Sequence, residues 1–186
     1  PRDCIELLFD RGVQFIARTV LVLLFAKRHH LFCKVQSACA ALAPEVEFIA
    51  EDASRGDPEF VDAMIRAAVD AGARHITFQE TAGEVLPEEM EASVKAMIDR
   101  LELGDRVVYG IDCSDGLSLA DACAVASVRA GVREIKAASY RLDCVSLPHL
   151  IRILHLKGES FGVYSEVRRE EIRRVTGQIE NFFRAT

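Results

Sequence analysis

From Val46 onward the apolar and polar positions follow one repeating order: a short apolar run, a polar loop, an amphipathic stretch closed by glycine, then another apolar run. That order is the pattern of parallel βα units. Val46-Glu-Phe-Ile-Ala50 predicts a strand. Asp57 followed by Pro58 predicts a helix start, because an aspartate caps the free N–H groups and proline suits the first turn. That helix closes near Gly72, with Phe60, Met64, Ala67 and Ala68 on one face. The second unit predicts a strand over His75–Gln79 and a loop from Glu80 to Leu86. Its helix opens at Pro87, with Glu88 and Glu89 at the positive end of the dipole. The third predicts a strand over Arg106–Ile111, a loop Asp112-Cys-Ser-Asp-Gly116, and a helix from about Ser118 to Ala130 stopped by Gly131. Glu134-Ile-Lys-Ala-Ala138 begins a fourth strand. The spacing of strand starts, roughly 30 residues, is that of a βαβ unit.

Outside this run, Ser146 to about Leu156 and Ser165 to about Phe183 carry helical patterns, the second with Arg and Glu on its outer face. Before Val46, Ile5–Phe9 reads as a short helix, Val13–Ile16 and Val20–Phe25 as strand-like runs, and Leu31–Ala43 as a helix. The expected architecture is α/β, a parallel sheet surrounded by helices of the (β/α)8 TIM-barrel type. It is partial, because five or six strands are recognisable where a closed barrel needs eight. Residues 1–158 are expected to form the partial barrel and 159–186 a peripheral helical segment. Missing pieces of chain, a second chain that completes the barrel, or an open sheet would each account for the strand count.

The 186 residues are 50% hydrophobic and 28% charged, enough for one sizeable core. The net charge of −6 offers no broad positive field, so nucleic acid is not an expected partner. The apolar run from Val20 to Ala26 falls short of the roughly 20 residues a membrane span needs. A soluble, cytoplasmic protein without a membrane partner is expected. The six cysteines form no C-x-x-C pair and read as reduced packing residues. Cys113 alone stands near expected chemistry, beside a helix start that lowers a thiol pKa. Lys27, Arg28, His29 and His30 make a small basic cluster, read by default as solvated.

In parallel α/β folds ligands bind at the carboxyl ends of the strands. The loops there are Glu51-Asp-Ala-Ser-Arg, Glu80-Thr-Ala-Gly, Asp112-Cys-Ser-Asp and Ser139-Tyr-Arg, and three of the four open on a carboxylate. Val46-Glu-Phe-Ile-Ala-Glu-Asp-Ala-Ser-Arg-Gly-Asp57, Glu80-Thr-Ala-Gly-Glu-Val-Leu-Pro-Glu-Glu89 and Asp112-Cys-Ser-Asp-Gly-Leu-Ser-Leu-Ala120 resemble, in order and spacing, the fifth to seventh βα units of the isopropylmalate and homocitrate synthases. That superfamily also holds hydroxymethylglutaryl-CoA lyase.

The resemblance implies a divalent metal, Mg2+ or Mn2+, that polarises the ketone of a 2-oxo acid while acetyl-CoA adds in a Claisen condensation. It implies a homo-oligomer, expected as a dimer. It assigns Glu51 and Thr81 to substrate binding, Thr81 toward the oxo acid's carboxylate. It places Asp112 and Ser114 where the family's H-C-H-N-D-L-G-L-A motif puts two metal-binding histidines on one face of a strand. A carboxylate binds such an ion, whereas a neutral hydroxyl is a poor ligand. The family's G-E-R-x-G-N and D-T-x-R-D-G segments have no counterpart beyond the echo Pro1-Arg-Asp3. Each site residue also has a plainer reading: Glu51 as a solvated loop carboxylate, Thr81 as a turn brace, Asp112 and Asp115 as helix-start aspartates. A non-catalytic homologue acting as a binding, scaffold or regulatory subunit is therefore the alternative to the acyltransferase. An aldolase-type lyase using Lys136 as a Schiff-base amine is the third reading.

Overall fold

The computed structural model describes residues 3–4, 6–8, 29–139 and 143–184. Their elements run β1 (Asp3–Cys4), β2 (Glu6–Leu8), α1 (His29–Leu42), β3 (Glu47–Ala50), α2 (Pro58–Asp70), β4 (His75–Glu80), α3 (Pro87–Leu101) and β5 (Val108–Cys113). There follow α4 (Ala120–Ala130), β6 (Glu134–Lys136), α5 (Leu147–Lys157), β7 (Val163–Tyr164) and α6 (Arg169–Arg184). β2, β6, β5, β4 and β3 lie side by side in that order, and β1 pairs with β7. Every strand pair is parallel. The first strand of this sheet thus lies beside the last of the repeated units, the neighbour relation through which a parallel barrel closes.

Period-two alternation divides the sheet into two unlike faces. Phe48, Ile76, Phe78, Tyr109, Ile111, Cys113 and Ile135 form one, buried under α2, α3 and α4 as a continuous apolar core. Phe78 and Tyr109 stack with ring centroids 5.7 Å apart, which adds about 0.5–1.5 kcal/mol beyond their buried area. The helices that cover this face start and stop on local signals. Asp57 accepts from the Glu59 and Phe60 N–H groups at 2.9 and 3.3 Å to cap α2. The Glu89 carboxylate reaches back to the Leu86 N–H at 2.9 Å to fix the start of α3. Gly131, at φ +118°, ends α4. Leu147, Ile151 and Ile172 make a smaller cluster that fastens α6 to α5.

Several expectations are corrected. Glu6–Leu8 is a strand, not part of a helix over Ile5–Phe9: so short a run, four apolar residues around one glutamate, satisfies either period, and pairing with β6 decides it. α1 opens at His29 and His30, two residues before the expected start at Leu31. α4 begins at Ala120, two residues after Ser118, which holds φ +59°. Phe60, assigned to the covered face of α2, is 43% exposed; Ala68 of that face is buried and Met64 and Ala67 pack against the core, while Ile65 and Val69, not expected there, are buried with them. Val13–Ile16 and Val20–Phe25 lie outside the described residues.

Candidate functional site

The second face of the sheet is polar. Glu47 on β3, Thr77 on β4 and Glu134 on β6 are all buried, and each carries a side chain that needs a partner away from water. Lys136 at the end of β6 reaches Glu47 with Nζ 2.6 Å from Oε1, with the two side chains 20% and 5% exposed. On a flat sheet β3 and β6 stand three strand spacings apart, about 14 Å. A direct ion pair between them requires the sheet to curl, so the polar face lines a trough. Thr77 Oγ1 donates to the same Glu47 oxygen at 2.5 Å. One level down, His75 Nδ1 lies 2.6 Å from Glu134 Oε1, spanning from β4 to β6 over β5. Gly110 is the β5 residue beneath these crossings, and a Cβ there would overlap Thr77 Oγ1.

Asp112 stands on this face near the end of β5. Gln79 Nε2 donates to its Oδ2 at 3.0 Å. Burial pushes the Asp112 carboxyl above its ordinary value; the Gln79 hydrogen bond and the Lys136 charge pull it down, and Glu47 pushes it up. Ser114, just past the strand, donates its backbone N–H to the Glu80 carbonyl at 3.0 Å. Asp115 accepts from the Ala120 N–H at 2.9 Å and so braces the start of α4. Cys113 faces the apolar core, where burial pushes its thiol well up, so it is a packing group and not a nucleophile.

Two loops close the strand-end rim. Glu80, 3% exposed, turns its carboxylate back to accept from the Ala82 and Gly83 N–H groups at 3.0 and 2.8 Å. Gly83 then packs backbone to backbone on Gly116, and the Leu117 N–H donates to the Gly83 carbonyl at 2.9 Å. Thr81 donates to Asp52 Oδ1 at 3.0 Å, and Arg55 Nε holds the same oxygen at 2.8 Å. The Arg55 hydrogen bond, opposed by burial and aided by Thr81, keeps Asp52 below its usual carboxylate value. Asp52 adopts φ +55°, and Glu51 beside it is exposed. Thr81 is therefore joined to Asp52, while Asp112 shares the trough with Lys136, Glu47, Thr77 and Gln79.

The expected metal does not fit these residues. Asp112 offers one carboxylate already bonded to Gln79, Ser114 offers a neutral hydroxyl, and the Lys136 ammonium on the same face repels a cation. Among the described residues no group of three or more His, Cys, Asp or Glu is placed to hold a metal ion. The interior groups Glu47, Thr77, Gln79 and Glu134 escaped the sequence reading, and His75 was read only as the start of a strand. Their signal was polar residues at alternate positions within the strands rather than in the loops after them.

Over residues 23–140 the sequence matches the HMGL-like protein family. This chain belongs to the HMGL-like family. A 2-isopropylmalate synthase from Methylacidiphilum infernorum (isolate V4) is 31% identical over 137 residues, covering 71% of the HMGL-like chain and 27% of that protein. Another from Salinibacter ruber (strain M8) is 34% identical over 131 residues, covering 68% and 24%. The HMGL-like chain thus spans about a quarter of the length of the curated relatives it matches. Among solved structures, the HMG-CoA lyase from Brucella melitensis superposes with TM-score 0.70 at 15% identity, covering 90% of this chain and 66% of that one. Rhizobium etli pyruvate carboxylase T882A superposes with TM-score 0.64 at 18% identity, covering 85% and 16%. These likenesses show the fold, a part of the (β/α)8 barrel. No helix among the described residues is long and apolar enough to cross a membrane.

Proposed function

We propose that this chain takes part in an isopropylmalate-synthase-like acyl transfer, with a 2-oxo acid bound in the trough at the strand ends and acetyl-CoA as the second reactant. The observation that carries this reading is the position of Asp112: a half-buried carboxyl, raised above its ordinary value and oriented by Gln79, on the same face as an ammonium donor. Condensation removes a proton from the acetyl methyl, forms a bond to the ketone carbon and delivers a proton to the ketone oxygen. A carboxyl poised in this way can take or give such a proton, and Lys136 can donate an N–H to a developing oxyanion. Glu51 and Thr81, at the rim, are the proposed contacts for the polar end of the oxo acid. The relatives' names and the resemblance of the three strand-end segments support the same substrate class.

A second reading, a non-catalytic binding or scaffold homologue, is favoured by Ser114 and by the mismatch of the donor set to a divalent ion. An aldolase-type use of Lys136 is disfavoured by the ion pair that occupies its amine.

Calorimetric titration with 2-oxoisovalerate and 2-oxoglutarate, with and without Mn2+, tests the proposal on the wild-type chain and on Asp112→Ala. Binding of one oxo acid that weakens at least tenfold in the variant is the expected result. No binding of either acid to the folded chain overturns the enzyme reading in favour of the scaffold.

A further inference from the structure

The trough carries three carboxylates, Glu47, Asp112 and Glu134, on three neighbouring or near-neighbouring strands. Carboxylates withdrawn from water need a balancing positive charge or a set of donors. Glu134 has His75. Glu47 has Lys136, and Thr77 adds a hydroxyl donor to the same oxygen. Asp112 has the Gln79 amide on one side. On its other side stands β6, where Ile135 pairs with Ile111, so that Asp112 and Lys136, each one residue further on, are neighbours on the trough face. Gly110, without a Cβ, leaves the space that Thr77 Oγ1 and Glu134 Cβ border. A lysine that attacks a carbonyl is activated by apolar burial or a nearby cation. Lys136 has neither: its Nζ lies 2.6 Å from Glu47 Oε1, in an ion pair with a buried carboxylate.

We propose that the Lys136 ammonium is the built-in cation of this trough, balancing Glu47 and Asp112 in the place where the family resemblance calls for a divalent ion, so that the interior is complete without metal. The replacement is coherent: one histidine position has become a carboxylate, the other a neutral serine, and a lysine stands on the neighbouring strand beside that carboxylate. The inference concerns the folded chain and holds whichever oxo acid binds.

Thermal unfolding of the full 186-residue chain in EDTA and in excess MnCl2, with a parallel calorimetric Mn2+ titration, is the test. The wild type is expected to melt at the same temperature in both and to take up no Mn2+. Lys136→Met is expected to melt about 6–20 °C lower, because it strands Glu47 in the interior. Lys136→Arg, which keeps the charge, should stay closer to the wild type, and Glu47→Gln combined with Lys136→Met should recover much of the loss. Mn2+ that raises the wild-type melting temperature overturns the proposal, and so does a Lys136→Met chain as stable as the wild type. Should Lys136→Met fail to fold, the double variant decides: a folded double variant supports charge balance, and an unfolded one overturns it. An oxo acid that fails to bind removes the proposed function and leaves this result standing. Oxo-acid binding that needs Mn2+ does the reverse.

Discussion

His75 shows how one side chain can set a pH dependence. The hydrogen bond that its ring donates to Glu134 holds the imidazole above its ordinary value; burial opposes that, and the Glu134, Glu45 and Glu47 charges reinforce it. A histidine whose folded value is raised contributes stability that is fully present below about pH 6.5 and is lost as pH rises through the folded value. The gap in urea stability between wild type and His75→Ala should therefore be widest near about pH 6 and narrow toward about pH 9. At the lower pH the loss is expected to be about 3 kcal/mol, near the bottom of the range for breaking a buried pair, since His75 keeps 20% of its side chain exposed. A gap that does not change with pH would show that Glu134 is satisfied without the imidazolium. At this scale the sequence was legible where a residue does a local job. Asp57 as a cap follows from its immediate neighbours. Glu47, Thr77 and Glu134 do not, because their partners come from strands distant in the chain; His75 and Glu134 are 59 residues apart.

At the scale of elements, the β4–α3 and β5–α4 loops act as one unit. Gly83 has φ +67°, and a Cβ on it would drive into the Gly116 backbone. Gly83→Ala should cost more than about 2 kcal/mol, combining left-handed strain with a backbone collision. It should also raise amide exchange at Leu117, whose N–H bonds to the Gly83 carbonyl. Exchange at Leu117 unchanged from wild type would mean that the loops are independent. The strands and helices of this region were readable because amphipathic period, caps and glycine stops agree with one another. Which face of each strand would be apolar core and which would line a trough was not readable. Alternation defines two faces, and curvature, a property of the assembled sheet, decides what each one meets. The short run at Glu6–Leu8 was misread for the same reason: its strand character comes from β6, not from its own residues.

For the whole molecule, the apolar face under the helices and the polar trough assemble at different stages. The apolar contacts join units adjacent in sequence, and the expected order of βα units emerges from them. The Lys136–Glu47 pair joins the last of those units to the first and can form only when β4 and β5 already lie between. Contacts between distant segments form against loop-closure entropy. This pair is therefore expected to form in the final step, after the rate-limiting barrier, as a latch on a structure already built. Removing it in Lys136→Met should leave the refolding rate in stopped-flow experiments near that of the wild type and speed unfolding in proportion to the stability lost. A slowed refolding limb would place the curl of the sheet in the folding nucleus instead. The same ion pair that occupies the trough thus sets how long the chain, once folded, resists opening.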